Sequence, residues 1–454
     1  MNEQEQALSR VFAELKNRES ETVELLRELV RIPTVNSGQM PTGHETAACR
    51  LLQDYLSDFP TEIVEKAEER GSFVACWKNG SAGKRLLWMS HLDVVAPGDE
   101  ALWSHPPFAA EIDNGRLFGR GAIDCKTMTA AAAAAMLALK RSGFEPTGEL
   151  AMIAGADEEC GGRYGFGHLA EARPELLSAD LAINEGGGQP VRAADGGLRY
   201  QVGVGDKGRY EVTFELRGES GHASAPWRAK SPILLAAKLL ERLDHWRPAV
   251  DVSPPPFRQL AELFGIEEAP TPANLDRLLD RIAELNNRLA QQLRVLSRMT
   301  IAPTLIQAGE KSNSIPDRCL LTCDARLLPG QKVEELEAVL AELVDGLDGA
   351  SYQIEETAHA SFTEPDEEQW RLLESALRRS TGDGSVKCLP SYCGGFTDSR
   401  FTRAAGAPTF GFQVTAPDSD PTKGGIHCID ESASLADLHF LSKTLAALAV
   451  EFLG

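Results

Sequence analysis

An imidazole and a carboxylate lie two residues apart in Ser90-His91-Leu92-Asp93, directly after the apolar stretch Leu86–Met89. In a β-strand, residues i and i+2 point to the same face. His91 could therefore bind a metal ion while Asp93 orients the ring through its other nitrogen. A His-x-Asp pair alone is equally consistent with a structural role, so the chemical interpretation depends on further donors elsewhere in the chain.

Four later segments supply such donors, each beside glycine and most of them after an apolar run. They are Gly119–Lys126 with Asp124, Asp157–Gly162 with Glu158 and Glu159, Asn184–Gly188 with Glu185, and Gly424–His427. We expect them to lie at the ends of strands, where ligands bind in open α/β sheets.

Together the segments contain enough donors for two metal ions. Zinc binds histidine nitrogen and carboxylate oxygen, and two metals about 3.5–4 Å apart can polarise a carbonyl and acidify a shared water. Five ligands suffice if an aspartate in a glycine turn bridges the ions. The five candidates are His91, Asp124, Glu159, Glu185 and His427. Glu158 is then free to act as a general base, and Asp93 orients His91.

Composition excludes some classes of partner. The chain has 454 residues, which predicts two or three domains, and its formal net charge of −21 argues against nucleic acid and anionic membranes. Nine cysteines without a framework spacing, and an acidic N-terminus without a signal peptide, indicate a reduced, cytoplasmic protein. The longest apolar run, 130–139, is shorter than the roughly 20 residues of a membrane span and predicts a buried helix.

The elements that must position the donors change character along the chain. From Phe73 to Ile183, strand-like and helical runs alternate, which predicts a mainly parallel sheet covered by helices. From Tyr210, strict apolar–polar alternation and two strand–helix–strand units predict a small, inserted α+β sandwich. The predicted domains are residues 1–204 and 361–454, forming the catalytic domain, and 205–360, forming the inserted one.

The block at about 251–300 has apolar residues at helical spacing within the inserted domain. One interpretation is an amphipathic helix packed on the small domain or on a partner subunit. The other is a cover for the active site.

These motifs resemble the dinuclear-zinc aminoacylase and carboxypeptidase family. That group includes acetylornithine deacetylase and succinyl-diaminopimelate desuccinylase, and the likeness is greatest to the carboxypeptidase S type. The resemblance extends from about Leu26 to the C-terminus, and further segments carry it: Trp103–Phe108, Asp206–Gly208, Ser220–Pro226, 301–330 and Thr397–Arg400. The sequence departs from the aminoacylase type in having Asn184 where an aspartate is common.

The resemblance implies an α/β fold, with a mainly parallel-sheet zinc-hydrolase domain and an inserted smaller α+β (ferredoxin-like) lid and dimerisation domain. It implies that His91 and Glu185 bind one metal, that Glu159 and His427 bind the other, and that Asp124 bridges them. A cis peptide bond after Asp124 is also implied.

Roles in catalysis and substrate binding follow from the same likeness. Glu158 matches the general base, and His222 matches a histidine that stabilises the oxyanion in the partner subunit's active site, so a homodimer is expected. Asn313 and Arg326 match residues that hold the substrate's free carboxylate. The planar guanidinium of arginine suits that task because it forms two parallel hydrogen bonds.

We therefore expect a metal-dependent amide hydrolase, a zinc-dependent metallopeptidase or amidohydrolase. It would cleave short peptides, dipeptides or N-acyl amino acids next to a free carboxylate, by metal-activated water with a glutamate general base. The same ligands suit Co²⁺ or Mn²⁺ in place of Zn²⁺.

Two alternatives stay open. One is a biosynthetic N-acyl deacylase of the acetylornithine deacetylase or succinyl-diaminopimelate desuccinylase type. The other is a non-catalytic homologue that binds an amino acid, which we would expect to lack Glu158 or a ligand. Cys125, Cys160 and Cys428, beside three of the ligands, are either inert or oxidation-sensitive.

Overall fold

The computed structural model describes residues 3–79 and 83–454. The helices are α1 Glu3–Asn17, α2 Glu19–Arg31, α3 Thr46–Tyr55, α4 Thr127–Arg141, α5 Phe166–Ala172, α6 Pro232–His245, α7 Leu260–Phe264, α8 Leu275–Val295, α9 Val333–Val344, α10 Glu367–Thr381, α11 Ser399–Ala404 and α12 Leu435–Leu453. The strands are β1 Thr61–Glu65, β2 Gly71–Lys78, β3 Arg85–His91, β4 Glu111–Asp113, β5 Arg116–Phe118, β6 Glu149–Gly155, β7 Leu181–Asn184, β8 Gln189–Arg192, β9 Leu198–Asp206, β10 Gly208–Arg217, β11 Gly221–His222, β12 Thr300–Ala308, β13 Ser314–Ile315, β14 Arg318–Leu327, β15 Ala350–Ala358, β16 Ser361–Phe362, β17 Lys387–Cys393, β18 Thr409–Gly411 and β19 Ser432–Ser434.

A ten-stranded sheet has the order β1-β2-β6-β3-β7-β18-β9-β16, with β17 and β8 also paired to β9. Its centre is parallel, because β3 pairs in parallel with β6 and β7, and β18 with β7. Antiparallel pairs lie towards the two sides, at β1–β2, β2–β6 and β9–β18. The predicted mainly parallel sheet is confirmed for the strands at its centre, and these strands carry the first candidate ligands.

Helix α4 follows the bridging candidate Asp124 and is buried from Thr127 to Leu139. Its run of alanines lets α12 pack closely against it. Among the described residues, one helical stretch, Ala122–Arg141, has the length and apolar composition to cross a membrane, and 89% of its most apolar window is buried inside the protein. The prediction of a buried helix here is confirmed.

A second, four-stranded antiparallel sheet has the order β12-β14-β10-β15. One face of β10, formed by alternate apolar residues, is buried with α6 and α9, as the alternation predicted: Tyr210, Val212, Phe214 and Leu216. All four strands fall within 208–358, inside the segment predicted as an inserted domain. Lid and dimerisation roles for this unit stay predictions.

The helical block at 251–300 has an apolar core of its own around Leu278 and Ile282. It also contacts the large sheet, since Gln259 Nε2 donates to the carbonyl of Pro390 in β17 at 3.1 Å and Arg199 of β9 pairs with Glu262 at 2.6 Å. The block therefore packs against one side of the large sheet, a contact that neither sequence interpretation included.

Because α4 is tightly packed, Ala133→Leu should destabilise the protein. Ala133 is fully buried, and inserted methylene groups in a packed core cost about 1–3 kcal/mol. Ala404→Leu, at the exposed end of α11, is the matched control and should change the free energy of unfolding by less than about 0.5 kcal/mol. Chemical denaturation measures the free energy of unfolding of both variants. Equal losses in the two would mean that α4 is not tightly packed.

Candidate metal centre

The imidazole of His91 is held at the end of the central strand β3. Its Nδ1 lies 2.9 Å from the backbone carbonyl oxygen of Asp93 and 3.5 Å from Oδ1 of the same residue. The Nδ1–H group therefore donates to Asp93, which leaves Nε2 free as a metal ligand. Both residues are buried, at 1% and 0% exposure.

Asp124 is delivered by a turn that only glycine fits comfortably. Gly121 has a φ of +80°, and a Cβ atom there would lie 2.3 Å from Cγ1 of Val94. The Asp124–Cys125 peptide is cis, as the resemblance implied. The two oxygens of Asp124 face different imidazoles: Oδ1 lies 3.0 Å from Nε2 of His91, and Oδ2 lies 3.3 Å from Nε2 of His427.

The remaining two carboxylates each approach one of these imidazoles. Oε2 of Glu185, just beyond β7, lies 3.5 Å from Nε2 of His91. Oε1 of Glu159 lies 3.2 Å from Nε2 of His427. The structure therefore brings all five candidate ligands together, with Asp124 in the middle of the group.

The electrostatics of this group fit divalent cations. The carboxylates of Asp124, Glu158, Glu159 and Glu185 crowd two imidazoles in a largely buried site. Hydrogen bonds with Asp124 and Glu159 raise the pKa of His427 to about 10, and burial with the charge of Asp124 raises the pKa of Glu185 to about 7. Donor atoms of His91, Asp124 and Glu159 all lie within 4.8 Å of one another, as metal binding needs.

Glu158 lies beside the group without pairing to either imidazole. It is 6% exposed. Burial, together with the charge of Glu185, raises its pKa well above the usual value. A carboxyl group whose pKa is raised in this way can both accept and return a proton.

Asp93 has a second task, which the sequence did not indicate. Its Oδ1 accepts a hydrogen bond from the backbone N–H of Glu158 at 2.9 Å, and its Oδ2 accepts one from Glu159 at 3.1 Å. The residue that orients His91 thus also fixes the turn that carries the general-base candidate.

Glu431 is a positioning residue that sequence reasoning missed. It is fully buried; Oε1 accepts the backbone N–H groups of Ile123 and Asp124 at 3.0 and 3.2 Å, and Oε2 pairs with Arg120. It therefore connects the His427 segment to the turn of the bridging aspartate. Its nearness to His427 in the chain was the one available signal, but a glutamate in a polar loop is usually exposed.

The candidate substrate residues lie in the inserted domain, near opposite ends of β14. His222 is exposed, with Nδ1 2.7 Å from Oγ of Ser224, and Ala223 N donates to the carbonyl of Asn313 at 3.0 Å. Arg326 lies at the other end of β14, opposite Arg209 in the register of the sheet. The structure thus places His222 beside Asn313, whereas Arg326 lies apart from both.

A mainly parallel sheet whose strand ends and neighbouring loops gather two imidazoles and four carboxylates, with an antiparallel domain inserted, is the architecture of a metal-dependent hydrolase. Residues 87–451 match peptidase family M20/M25/M40, and the chain belongs to this family.

The curated relatives include succinyl-diaminopimelate desuccinylases. The enzyme of Alkalilimnicola ehrlichii is 27% identical over 444 residues, which cover 96% of this chain and 100% of the relative. The enzyme of Methylocella silvestris is 28% identical over 436 residues, which cover 93% of this chain and 96% of the relative.

The solved structures with this fold include peptidases. An M20 family metallo-carboxypeptidase, Sso-CP2 from Sulfolobus solfataricus, superposes with a TM-score of 0.72 at 18% identity, covering 95% of this chain and 99% of that one. The dipeptidase Dug1p of Saccharomyces cerevisiae gives 0.71 at 16% identity, with 98% of each chain covered. The chain is thus a metal-dependent enzyme of amide hydrolysis.

Removal of the Glu431 carboxylate (Glu431→Ala) should lower the free energy of unfolding by about 3–5 kcal/mol, because it leaves a buried guanidinium unpaired. Glu368→Ala breaks an ion pair with Lys84 whose side chains are more than half exposed, and is the control. It should cost less than about 1 kcal/mol. Denaturant titration of the two variants decides; a Glu431 variant as stable as the control would refute the role of this carboxylate.

Proposed function

We propose that the chain hydrolyses the acyl–nitrogen bond of short peptides, dipeptides or N-acyl amino acids that carry a free carboxylate next to that bond. The observation that carries the proposal is the carboxylate of Asp124, whose two oxygens face two separate imidazoles. This arrangement suits a pair of ions that share one ligand, and we propose Zn²⁺ because its preferred donors are those present.

His91 and Glu185 would hold one ion, Glu159 and His427 the other, and Asp124 both. Bound ions of this kind polarise a carbonyl oxygen and acidify water. The contribution of the chain is to fix the five donors through Asp93, Glu431 and the strand ends that carry them.

Glu158 would move the proton. In its ionised form it accepts a proton from the attacking water, and it then donates that proton to the leaving nitrogen. Its burial supports this role, because a carboxyl group shielded from water binds a proton more readily than an exposed one.

Arg326 would bind the free carboxylate of the substrate in its own subunit, and Asn313, which lies beside His222 beyond the other end of β14, would reach that carboxylate from the partner subunit. The Arg326 side chain is about one-quarter exposed and donates from Nε to Oδ1 of Asp324 at 2.6 Å, so its fork is held in a fixed orientation with part of it accessible. His222 would stabilise the oxyanion of a partner subunit's site.

A second candidate function is desuccinylation of an N-succinyl amino acid, which the names of the curated relatives favour. The metal-loaded protein, incubated with a mixed library of dipeptides and N-acyl amino acids and read by mass spectrometry, separates the two. Preferential loss of dipeptides supports the peptidase; loss of succinylated amino acids alone supports the deacylase. No cleavage in the presence of bound metal would refute both.

We also propose a homodimer formed through the small sheet. Its edge strand β12 exposes Leu305 and Ile306 at 59% and 54%. Helix α6, which contacts β12, exposes Leu234 at 67%, and the segment just before that helix exposes Trp227 at 93%. Exposed apolar groups along an unpaired strand edge favour association with a second copy. The nine cysteines are all free thiols, which supports a reducing compartment such as the cytoplasm.

Glu158→Gln should lower kcat by about 10²–10⁴-fold, because the amide cannot take up the proton of water. The variant should still bind two metal ions per chain, measured by elemental analysis after dialysis. Glu171→Gln changes an exposed glutamate nearby and serves as the control. Full activity in the Glu158 variant would exclude it as the general base.

If each active site of the dimer uses residues of both subunits, the activity lost in His222→Ala can be recovered by mixing this variant with a second inactive one. When His222→Ala and Glu158→Gln chains are co-refolded in equal amounts, each mixed dimer contains one intact site if His222 acts on the partner. Since half of the dimers are mixed, activity should return to about one-quarter of the unmodified value. Failure of the mixture to exceed the separate variants would mean that His222 does not act across the interface.

A further inference from the structure

The side chain of Asn36 lies behind the metal centre, in the loop between α2 and α3. It is 5% exposed. Its Nδ2 donates one hydrogen to Oδ2 of Asp93 and the other to Oδ1 of Asp157, both at 2.9 Å, and its Oδ1 accepts the N–H of Gly38 at 3.0 Å. Both hydrogens of the amide are thus used, each on a different carboxylate.

The two carboxylates belong to two different turns of the large sheet. Asp93 follows the ligand His91 at the end of β3, whereas Asp157 precedes Glu158 and Glu159 beyond the end of β6. In the proposed centre His91 and Glu159 are ligands of different ions. The amide of Asn36 therefore joins the support of one ion position to the support of the other.

The turn at Asp157 needs external support because its backbone has a φ of +68°, a conformation that residues other than glycine adopt infrequently. On the side away from the metal centre, Arg70 Nη2 donates to Oδ1 of Asp157 at 2.9 Å, and the same guanidinium pairs with the buried Glu45. Oδ2 of Asp157 accepts the N–H of Tyr164 at 3.0 Å. Arg70 and Tyr164 thus fix the position of Asp157, and the two hydrogen bonds of Asn36 fix Asp93 relative to it.

Charge explains why an amide suits this place. Asp93 and Asp157 would repel each other without a donor between them, and Arg70 already supplies a positive charge to Asp157. A neutral group with two hydrogens satisfies both oxygens and adds no charge.

We propose that Asn36 is a positioning residue that fixes the spacing between the two metal positions by holding Asp93 and Asp157 at a set separation. This inference rests on the proposed function, since it assigns His91 and Glu159 to different ions. Asn36 touches neither substrate nor ion, so its effect should appear in metal binding and kcat and leave KM largely unchanged.

The test uses the full chain, freed of metal and titrated with Co²⁺, whose visible absorption reports ligand geometry. Asn36→Ala should weaken binding of one of the two ions by about 10–100-fold, change the visible spectrum and lower kcat at least tenfold, with KM within about twofold. Asn79→Ala removes an exposed amide that donates to Glu145 at 3.1 Å, and as the control should change none of these quantities.

A second variant separates hydrogen bonding from shape. Asn36→Asp keeps the size of the side chain and the oxygen that accepts from Gly38, but replaces the donor with a third carboxylate. If the donor matters, this variant should lose at least as much Co²⁺ affinity as Asn36→Ala. If Asn36 only fills space, it should behave as the unmodified protein does, and that result would overturn the proposal.

Thermal melting of each variant shows whether a loss of kcat reflects unfolded protein. Unaltered Co²⁺ affinities and spectra in folded Asn36 variants would refute the positioning role alone. Failure of the unmodified protein to bind two ions or to hydrolyse any library member would instead refute the proposed function.

Discussion

The carboxylate of Asp124 lies between two imidazoles that come from distant parts of the chain, and the rest of the site is arranged around this contact. Four carboxylates gathered in a largely buried space repel one another unless positive charge is supplied. Two imidazoles cannot balance four negative charges even when both are protonated, whereas two divalent ions can. The buried supports are accordingly directed at holding oxygens in place: Glu431 at the backbone of Asp124, and Asp93 at the backbone of Glu158.

The order of strands explains how residues far apart in the chain reach that carboxylate. Strands β6, β3 and β7 are parallel neighbours, so their carboxyl ends lie side by side at one edge of the sheet. His91 ends β3, Glu158 and Glu159 follow β6, and Glu185 follows β7. The ends of neighbouring parallel strands form a binding edge in such sheets, and the glycine turn of Asp124 and the His427 segment complete the group from the other side.

This geometry also explains how much the sequence could predict. A ligand at a strand end beside glycine leaves a local pattern, and His91, Asp124 and Glu185 could be recognised from it. The supports other than Asp93 leave none, because each is an isolated polar residue whose partner is distant: Asn36 and Asp157 are 121 residues apart, and Arg120 and Glu431 are 311 apart. The antiparallel pairing of β2 leaves no alternation because this strand is buried on both faces over most of its length. Strands β8 and β16, at four and two residues, are too short to show alternation. The contact between the helical block and β17 depends on tertiary packing that periodicity does not encode.

The insertion point of the small domain connects the metal centre to the substrate residues. Asn184, beside the ligand Glu185, donates to Ser399 at 3.0 Å, and Thr397 donates to Asp206 at 3.2 Å, the last residue of β9 before the small sheet begins. Arg209 follows Asp206 by a few residues, and Arg326 lies opposite Arg209 in the register of the small sheet, so both are close to the catalytic sheet. His222 and Asn313 lie at the far end, beyond the length of β14. This separation fits the proposal that Arg326 holds a substrate in its own subunit and that His222 acts in another.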